Sequence, residues 1–335
     1  MSSVPNTETV SKSEVAEHFS SISHVYNERN YKLAGKRAKY PDIAIRHKYF
    51  LEMLQGTSGR VLEVGCGSGQ MQLDLARRGY EMYGLDIATG MVQATRKLLR
   101  ENLPNYKPRL LVGDIEALGF PDNFFDIVLA AGVIEYLRSD KKSFREFSRV
   151  LKPGGMIILS VRNKLNLARP LTTGRDLVES APVLGAGINA ANKAVRAMLS
   201  MPPNGGIPGK RHIPGQLKRE LREAGLEPTD HSFYHFAVFP RMLERKYGEF
   251  CSTWGQKFER FRRSPLGYLA NQYIIQAKKL EARWAFSYAK PICAPIANCC
   301  STPCCAIAST ATMNCASAAS NGRIIKIRLD NRARG

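Results

Sequence analysis

The sequence has no long hydrophobic run. No stretch approaches the roughly 18 consecutive apolar residues that a membrane-spanning helix needs. Residues 1–12 are polar and lack the apolar segment of a secretory signal peptide. We therefore expect a cytoplasmic protein whose contact with a membrane, if it has one, is peripheral.

The main part of the sequence is poor in cysteine. Of the 8 cysteines, only Cys66 and Cys251 precede residue 290. The others are Cys293, Cys299, Cys300, Cys304, Cys305 and Cys315. No histidine accompanies these six, and their neighbours are small residues and proline, so we expect no bound metal. We expect a low-complexity, basic, poorly ordered tail over residues 283–335.

Acidic residues are few, and they are fewest in the second half of the chain. The chain has 49 Lys and Arg against 29 Asp and Glu, a net charge of +20. Residues 1–150 hold 21 basic and 18 acidic residues, whereas residues 151–335 hold 28 and 11. The basic half fits an acidic substrate, an anionic membrane surface or nucleic acid, and a solvated basic surface is the alternative.

Hydrophobic periodicity predicts two N-terminal helices, Glu14–Ile22 and Ile43–Leu54, after a flexible start at residues 1–12. Apolar strands then alternate with helices. The predicted strands are Arg60–Val64, Glu81–Leu85, Arg109–Val112, Phe125–Ala130 and Met156–Val161. The predicted helices between them are Gln70–Arg78, Thr89–Glu101 and Lys141–Val150. This alternation predicts βαβ units and a doubly wound, mostly parallel α/β sheet.

The regular alternation of predicted strands and helices ends after Val161. Residues from about 162 to 214 form a long insertion with one predicted helix, Asn189–Ser200, and loops of this length are commonly functional lids. A helix at Gly215–Ala224 and strands at His231–Val238 and Tyr268–Ala277 follow. The predicted folded domain spans residues 13–282 and has seven strands.

A glycine-rich turn follows the first predicted strand. Gly65, Gly67 and Gly69 let the backbone approach a ligand closely, and the N-terminus of the next helix offers free N–H groups. The spacing alone also suits a nicotinamide or flavin dinucleotide.

Five motifs over residues 60–161 together resemble the class I S-adenosylmethionine-dependent methyltransferases, most closely the ubiquinone/menaquinone-biosynthesis type. They are Leu62–Gly69 with Glu63 two residues before the first glycine, Tyr83–Asp86, Gly113–Glu116, Phe120–Asp126 and Arg149–Met156. The resemblance fades beyond residue 280. It implies a Rossmann-like fold with N-terminal helices and a lid, and S-adenosylmethionine as the cofactor.

The resemblance also implies roles for single residues. Asp86 would accept hydrogen bonds from ribose hydroxyls, Asp114 would reach the adenine amino group, and Ile115 would pack on the ring. The implied cofactor site consists of Tyr26, Glu63, Gly65, Cys66, Gly67, Gly69, Asp86, Ile87, Met91, Asp114, Ile115 and Ala131. Each has a structural alternative, such as a helix cap for Asp86 or a turn for Asp114.

The acceptor site is less defined. Members of the fold that methylate amide or adenine amino groups carry Asn/Asp-Pro-Pro-Tyr/Phe after strand four. This chain has Ala130–Tyr136 there, which disfavours amino methylation of DNA. The candidates for a catalytic proton acceptor are Glu135, His212, His231 and His235, for which core packing, a surface position or a helix start is the alternative.

The sequence therefore predicts a methyltransferase that acts on an O, N or C nucleophile of a small molecule. Basic residues flank the predicted lid and favour an anionic or lipid-like acceptor, met at a membrane surface; they are Arg162, Lys164, Arg169, Arg175, Lys210 and Arg211. The alternative is an RNA methyltransferase or nucleic-acid-binding protein that uses the basic half, although no RNA-binding module is recognisable. A donor-binding protein without catalysis is a third possibility.

Overall fold

The computed structural model describes residues 10–27, 30–31, 42–166, 207, 209–237, 239 and 247–281. The chain divides after Ala289, and every described residue lies before that division. The predicted helix Asn189–Ser200, most of the predicted lid and the tail at 283–335 lie outside the described residues. The proposed domain boundaries therefore stay predictions.

Helices and strands alternate through the described residues. The helices are α1 (Lys12–Asn27), α2 (Asp42–Met53), α3 (Gln70–Arg77), α4 (Thr89–Asn102), α5 (Lys141–Val150), α6 (Pro214–Glu223) and α7 (Gly248–Phe258). The strands are β1 (Arg60–Val64), β2 (Glu81–Asp86), β3 (Arg109–Val112), β4 (Phe125–Ala131), β5 (Leu151–Arg162), β6 (Leu226–Tyr234) and β7 (Gln272–Lys279).

In the described part of the chain, these strands form one seven-stranded sheet in the order β3-β2-β1-β4-β5-β7-β6. The first five strands of this order pair in parallel, whereas β7 runs antiparallel to both β5 and β6. The direction of winding reverses between β1 and β4. In open α/β sheets, ligands bind at the carboxyl ends of the strands beside such a reversal. The predicted doubly wound, seven-stranded fold is confirmed.

Both faces of the sheet are covered, which explains why the central strands are apolar throughout. Leu62 and Val64 of β1 pack in one hydrophobic cluster with residues of α5 and α6, and Val61 packs in another with residues of α2 and α3. Alternate residues of a strand point to opposite faces, so β1 is buried on both sides.

The C-terminal part departs from the prediction at three places. The strand β6 ends at Tyr234 because His235 has a φ of 64°, in the left-handed region where a strand does not continue. The strand β7 starts at Gln272, after a short 3-10 helix at Pro265–Leu269. Helix α7 was not predicted; its sequence has a central glycine and ordinary helix propensity, so packing decides its fold.

The N-terminal helix α1 packs on α4. A Cβ at Gly90 would lie 2.8 Å from both Cα and the carbonyl oxygen of Ser20, so the glycine permits this close approach. The contact fixes α1 above the carboxyl ends of β1 and β2. The first residues of α1 belonged to the predicted flexible start, whereas the structure begins the helix at Lys12.

No helix among the described residues combines the length and apolar character needed to cross a membrane.

Candidate active site

The glycine turn after β1 is built by left-handed backbone. Gly65, Gly67 and Gly69 have φ values of 67°, 54° and 86°, which favour glycine strongly. A Cβ at Gly65 would also lie 2.7 Å from Cγ2 of Val133. The backbone N–H groups of Gly65 and Cys66 donate to the carbonyl oxygen of Leu85, at 2.7 and 3.1 Å, and tie the turn to β2.

Asp86 at the end of β2 faces this turn. Its Oδ2 accepts a hydrogen bond from the Gly67 N–H at 2.9 Å, and its Oδ1 accepts one from the Ala88 N–H at 2.9 Å. The side chain is buried, and burial raises the pKa of Asp86 despite these backbone donors. Each carboxylate oxygen has a further lone pair, so the group can also accept bonds from a ligand hydroxyl.

Asp114 follows β3 and lies on the same edge of the sheet. Its Oδ1 accepts a hydrogen bond from the Glu116 N–H at 2.9 Å, and its Oδ2 pairs with the Lys12 ammonium of α1, which also contacts Glu116. Burial opposes the ionised form, but the Lys12 ammonium outweighs it and lowers the pKa of Asp114. A carboxylate is therefore held ionised at the third strand end.

A cavity of about 230 Å³ lies above these strand ends. Nine residues of the implied cofactor site line it: Tyr26, Gly65, Gly67, Asp86, Ile87, Met91, Asp114, Ile115 and Ala131. Ile87, Met91 and Ile115 are apolar and bracket the space beside the carboxylates. The arrangement offers hydrogen-bond acceptors for hydroxyl and amino groups together with an apolar slot for a flat ring.

Three residues of the implied cofactor site do not line the cavity. Glu63 is buried and accepts a hydrogen bond from Gln72 Nε2 at 2.9 Å; burial raises the pKa of Glu63 to about 8. Gly69 is the N-cap of α3. Cys66 is buried, with its Sγ 3.8 Å from Thr95 Oγ1, and burial raises its thiol pKa well above the ordinary value. A protonated, buried thiol is a poor nucleophile.

A cation and a phenol group also line the cavity. Arg46 of α2 reaches Gly132, where a Cβ would lie 2.6 Å from its Nη1, so the glycine makes room for the guanidinium. Tyr26 of α1 lies across the cavity, and burial raises its pKa. The Arg46 guanidinium thus places a positive charge in the cavity lining near the glycine turn.

The cavity lining also contains an ion pair and aromatic rings. Glu135 is 6% exposed, and its Oε2 lies 2.7 Å from Arg162 Nε at the end of β5. Burial raises the pKa of Glu135, although Arg162 and Arg46 oppose the shift. Phe19 and Tyr136 pack edge to face, with their ring centres 5.4 Å apart. This part of the lining has both titratable and apolar groups for a second ligand.

The three candidate histidines lie away from this cavity. His212 Nε2 is 2.9 Å from Asp140 Oδ2, in a second cavity. His231 lies in β6, half-buried, beside the rings of Phe233 and Tyr273, and burial lowers its pKa. His235 lies partly buried just after β6, and burial lowers its pKa as well. Of the four proposed proton acceptors, Glu135 lines the main cavity.

Sequence reasoning did not find Lys12, Asp42 and Gln272, which also line the cavity. Lys12 belonged to the predicted flexible start. Gln272 is placed there by its register with Arg162 across the antiparallel β5–β7 pair. No local motif marks these positions, but a correct pairing of the last strand would have placed Gln272 at the carboxyl edge.

Among the described residues, no group of three or more His, Cys, Asp or Glu side chains is placed to hold a metal ion.

Comparisons with known proteins agree with this geometry. Residues 62–159 match the family described as methyltransferase domain. The chain is 29% identical over 178 residues to the ubiquinone biosynthesis O-methyltransferase of Ruegeria pomeroyi, covering 53% of this chain and 63% of that one. It is 30% identical over 162 residues to the ubiquinone/menaquinone biosynthesis C-methyltransferase of Azotobacter vinelandii, covering 47% and 61%.

A third relative is the malonyl-[acyl-carrier protein] O-methyltransferase of Erwinia pyrifoliae, 28% identical over 176 residues and covering 52% of this chain and 62% of that one. The chain spans about half the length of the curated relatives it matches, or somewhat more. Among solved structures, the [4+2]-cyclase SpnF is similar, with a TM-score of 0.52, 19% identity and coverage of 84% of this chain and 100% of that one. At that identity the likeness shows the fold alone.

The fold is therefore that of the Rossmann-like class I methyltransferases. Within it, residues 62–159 match the methyltransferase domain family, and this match indicates S-adenosylmethionine as the cofactor.

Proposed function

We propose that this protein is an S-adenosylmethionine-dependent methyltransferase whose acceptor is a small molecule. The observation that carries the proposal is the convergence of Gly65, Gly67, Asp86 and Asp114 on one cavity at the carboxyl ends of β1, β2 and β3. These residues come from three separate motifs, and the reversal of the sheet beside β1 is where such folds bind ligands.

The residues present fit this cofactor part by part. The free lone pairs of Asp86 suit the two ribose hydroxyls. Asp114, with Ile115 beside it, suits the adenine amino group and ring. The methionine part would lie along the glycine turn, where Arg46 complements its carboxylate. Tyr26 offers a ring face to a cationic centre.

When bound, the cofactor supplies an electrophilic methyl group. The work of this chain is then to bring an acceptor atom in line with that group and to keep water away, which can supply much of the rate. Phe19 and Tyr136 provide the apolar wall for this purpose. Glu135 is the proposed proton acceptor, because it lines the cavity and because burial shifts its pKa upwards, in the direction of neutral pH.

We further propose that the acceptor is anionic or lipid-like and is met at a membrane surface. Arg162 supports this because it lines the cavity and adds a positive charge to the lining. The charge of residues 151–335 supports it as well, with 28 basic against 11 acidic residues. Such a surface attracts anionic lipid headgroups.

The test is transfer of labelled methyl from S-adenosylmethionine to host fractions: a small-molecule extract, a lipid extract and total RNA. We expect label in the small-molecule or lipid fraction, and less of it with the Asp86→Asn variant at a limiting concentration of S-adenosylmethionine. Label in RNA alone would overturn the proposal. Calorimetry with S-adenosylhomocysteine on the same preparation separates donor binding from catalysis; binding without transfer to any fraction would indicate a binding protein.

A further inference from the structure

A second cavity of about 260 Å³ lies beside the first and is lined mainly by cations. The basic residues are Arg138, Lys141, Lys164, Lys210, Arg211 and His212. Two carboxylates, Asp140 and Glu220, face them. Counting only Lys and Arg, five positive charges meet two negative ones, so the cavity carries three positive charges in excess. Such a concentration of cations around one space attracts an oxyanion.

Backbone pairing brings these cations together from distant parts of the chain. The segment around His212 runs parallel to the end of β5, with a bridge between Asn163 and His212. The Lys164 N–H donates to the His212 carbonyl oxygen at 2.9 Å, and the His212 N–H donates to that of Arg162 at 2.9 Å. The pairing fixes Lys164 against Lys210 and His212.

The centre of the cluster is ordered by Asp140. Its Oδ1 accepts a hydrogen bond from Lys210 Nζ at 2.6 Å, and its Oδ2 lies 2.9 Å from His212 Nε2. His212 is 7% exposed, and within the described structure its Nδ1 has no hydrogen-bond partner. The Nδ1 atom of this ring is therefore available to form a hydrogen bond with a ligand in the cavity.

Two helix N-termini also open on this cavity. Helix α5 begins at Lys141 and α6 at Pro214, and neither has a side-chain cap hydrogen bond. Residues of the first turn of α6, Gln216 and Leu217, line the space. Uncapped N–H groups and the positive end of the helix dipole add to the attraction for an anion.

The two cavities share a wall. Lys210 donates its backbone N–H to the carbonyl oxygen of Glu135 at 2.8 Å, and Glu135 lines the first cavity. A Cβ at Gly209 would lie 3.2 Å from Arg162 Nη1. Leu137 and Arg162 face the first cavity, whereas Arg138 and Lys164 face the second. One extended molecule can therefore reach both.

We propose that the second cavity binds the phosphate group of the methyl acceptor, so that acceptors of this enzyme are phosphate esters. That the bound molecule is the methyl acceptor rests on the proposed function. That the second cavity binds an anion rests only on the geometry of this cavity. The phosphate comes from a soluble ester or from a lipid headgroup, and the same cations would recognise it in either source.

The test uses the full chain and inorganic phosphate, measured by calorimetry at low salt. The double variant Arg138→Gln with Lys164→Gln removes two cations whose residues are exposed in the structure, so folding is expected to be kept. The matched control is Lys97→Gln with Arg100→Gln on α4, which removes the same charge from another exposed surface. Phosphate affinity should fall about tenfold or more in the cavity variant and stay near the original value in the control.

Titration with S-adenosylhomocysteine runs in parallel on all three proteins. Its affinity should be equal in all, and bound S-adenosylhomocysteine should leave phosphate affinity unchanged, because the cavities are separate. A chain that binds phosphate but not S-adenosylhomocysteine would overturn the proposed function and leave the anion site standing. Phosphate that competes with S-adenosylhomocysteine would overturn the anion site.

Sedimentation with vesicles distinguishes the source of the phosphate. Vesicles of phosphatidylcholine and phosphatidylglycerol in equal parts are compared with phosphatidylcholine alone. If the unaltered chain and the control bind the mixed vesicles and the cavity variant does not, the phosphate belongs to a lipid headgroup. If the chain binds phosphate but no vesicles, the phosphate belongs to a soluble ester. Equal behaviour of the cavity variant and the unaltered chain towards both probes would overturn the proposal.

Discussion

Glu63 shows how one residue type can serve the site without lining it. The carboxyl group is 4% exposed inside β1 and has Gln72 as its hydrogen-bond donor. Burial disfavours its charged form, and Asp86 adds to the effect, so the pKa rises to about 8. At neutral pH the protonated group fills space behind the glycine turn without adding a second full charge near Asp86.

This pKa predicts a pH dependence of stability. A carboxyl whose pKa is raised by folding contributes stability below its unfolded pKa, and that contribution is lost as the pH rises through the folded pKa. The free energy of unfolding of Glu63→Gln should therefore fall less than that of the unaltered chain between pH 5 and pH 8, by on the order of 3 kcal/mol. Denaturant unfolding at several pH values measures this. Parallel curves for the two proteins would show that Glu63 does not titrate in this range.

Asp86 makes the more direct test of the donor site. Asp86→Asn keeps one acceptor oxygen for the backbone but loses the charge, and S-adenosylhomocysteine binding should weaken by roughly 1–3 kcal/mol. Calorimetry measures the change. Asp122→Asn is the control, since Asp122 is exposed and pairs with Arg149 away from the cavity. An unchanged affinity in Asp86→Asn would mean that the ribose lies elsewhere.

At the scale of the elements, α1 is the part that completes the cavity. It supplies Lys12, Val15, Phe19 and Tyr26 to the lining, and it rests on α4 at Gly90. The glycine turn and strand ends form an open edge, so the position of this helix decides how well the cavity excludes water.

The contact at Gly90 predicts the effect of one methyl group. Gly90→Ala would place Cβ 2.8 Å from backbone atoms of Ser20 and push α1 outwards. We expect the unfolding free energy to fall by about 1–3 kcal/mol, because the cost of this clash exceeds the stabilisation from the higher helix propensity of alanine. S-adenosylhomocysteine binding should weaken as well. Gly119→Ala is the control because a Cβ there meets nothing within 4 Å. Equal loss in both variants, or none in either, would contradict this account of the contact.

Two motifs that helped to identify the family prove to be structural. Arg149 donates to the carbonyl oxygens of Phe120 and Leu118, each at 2.7 Å, and pairs with Asp122 and Glu146. It therefore ties the entry of β4 to the end of α5. These residues lie outside the cavity lining, so their pattern reports the fold and not the chemistry.

At the scale of the whole molecule, the sheet is complete before the tail begins. The strand β7 ends at Lys279, and the described residues that line the main cavity all precede Lys279. The last strand pairs with both β5 and β6, so the closing of the sheet needs no residue after it.

This arrangement predicts that the tail is dispensable for donor binding. A chain shortened after residue 282 should bind S-adenosylhomocysteine with the same affinity as the full chain, as measured by calorimetry. Circular dichroism of both proteins checks that the shortened chain is folded. A folded, shortened chain with weakened binding would move the domain boundary into the tail.

The alternating strands, the parallel sheet and the donor motifs could be predicted from the sequence, because they depend on local periodicity and on residues close together in the chain. The resemblance of these motifs to a known family placed Glu63, Gly65, Asp86 and Asp114 in the expected cofactor site. Which of these residues line the cavity follows from the packing, since Glu63 is buried behind the cavity wall whereas Asp86 lines the cavity.

Long-range packing also decided what no spacing encodes. Lys12 meets Asp114 across 102 positions of sequence, and Lys210 meets Asp140 across 70. His212, taken from the sequence as a candidate proton acceptor, instead joins the second cavity because the strand edge of β5 pairs with its backbone. Local patterns specify elements and their motifs, whereas charge pairs and cavities between elements exist only once the sheet has set the register of distant segments.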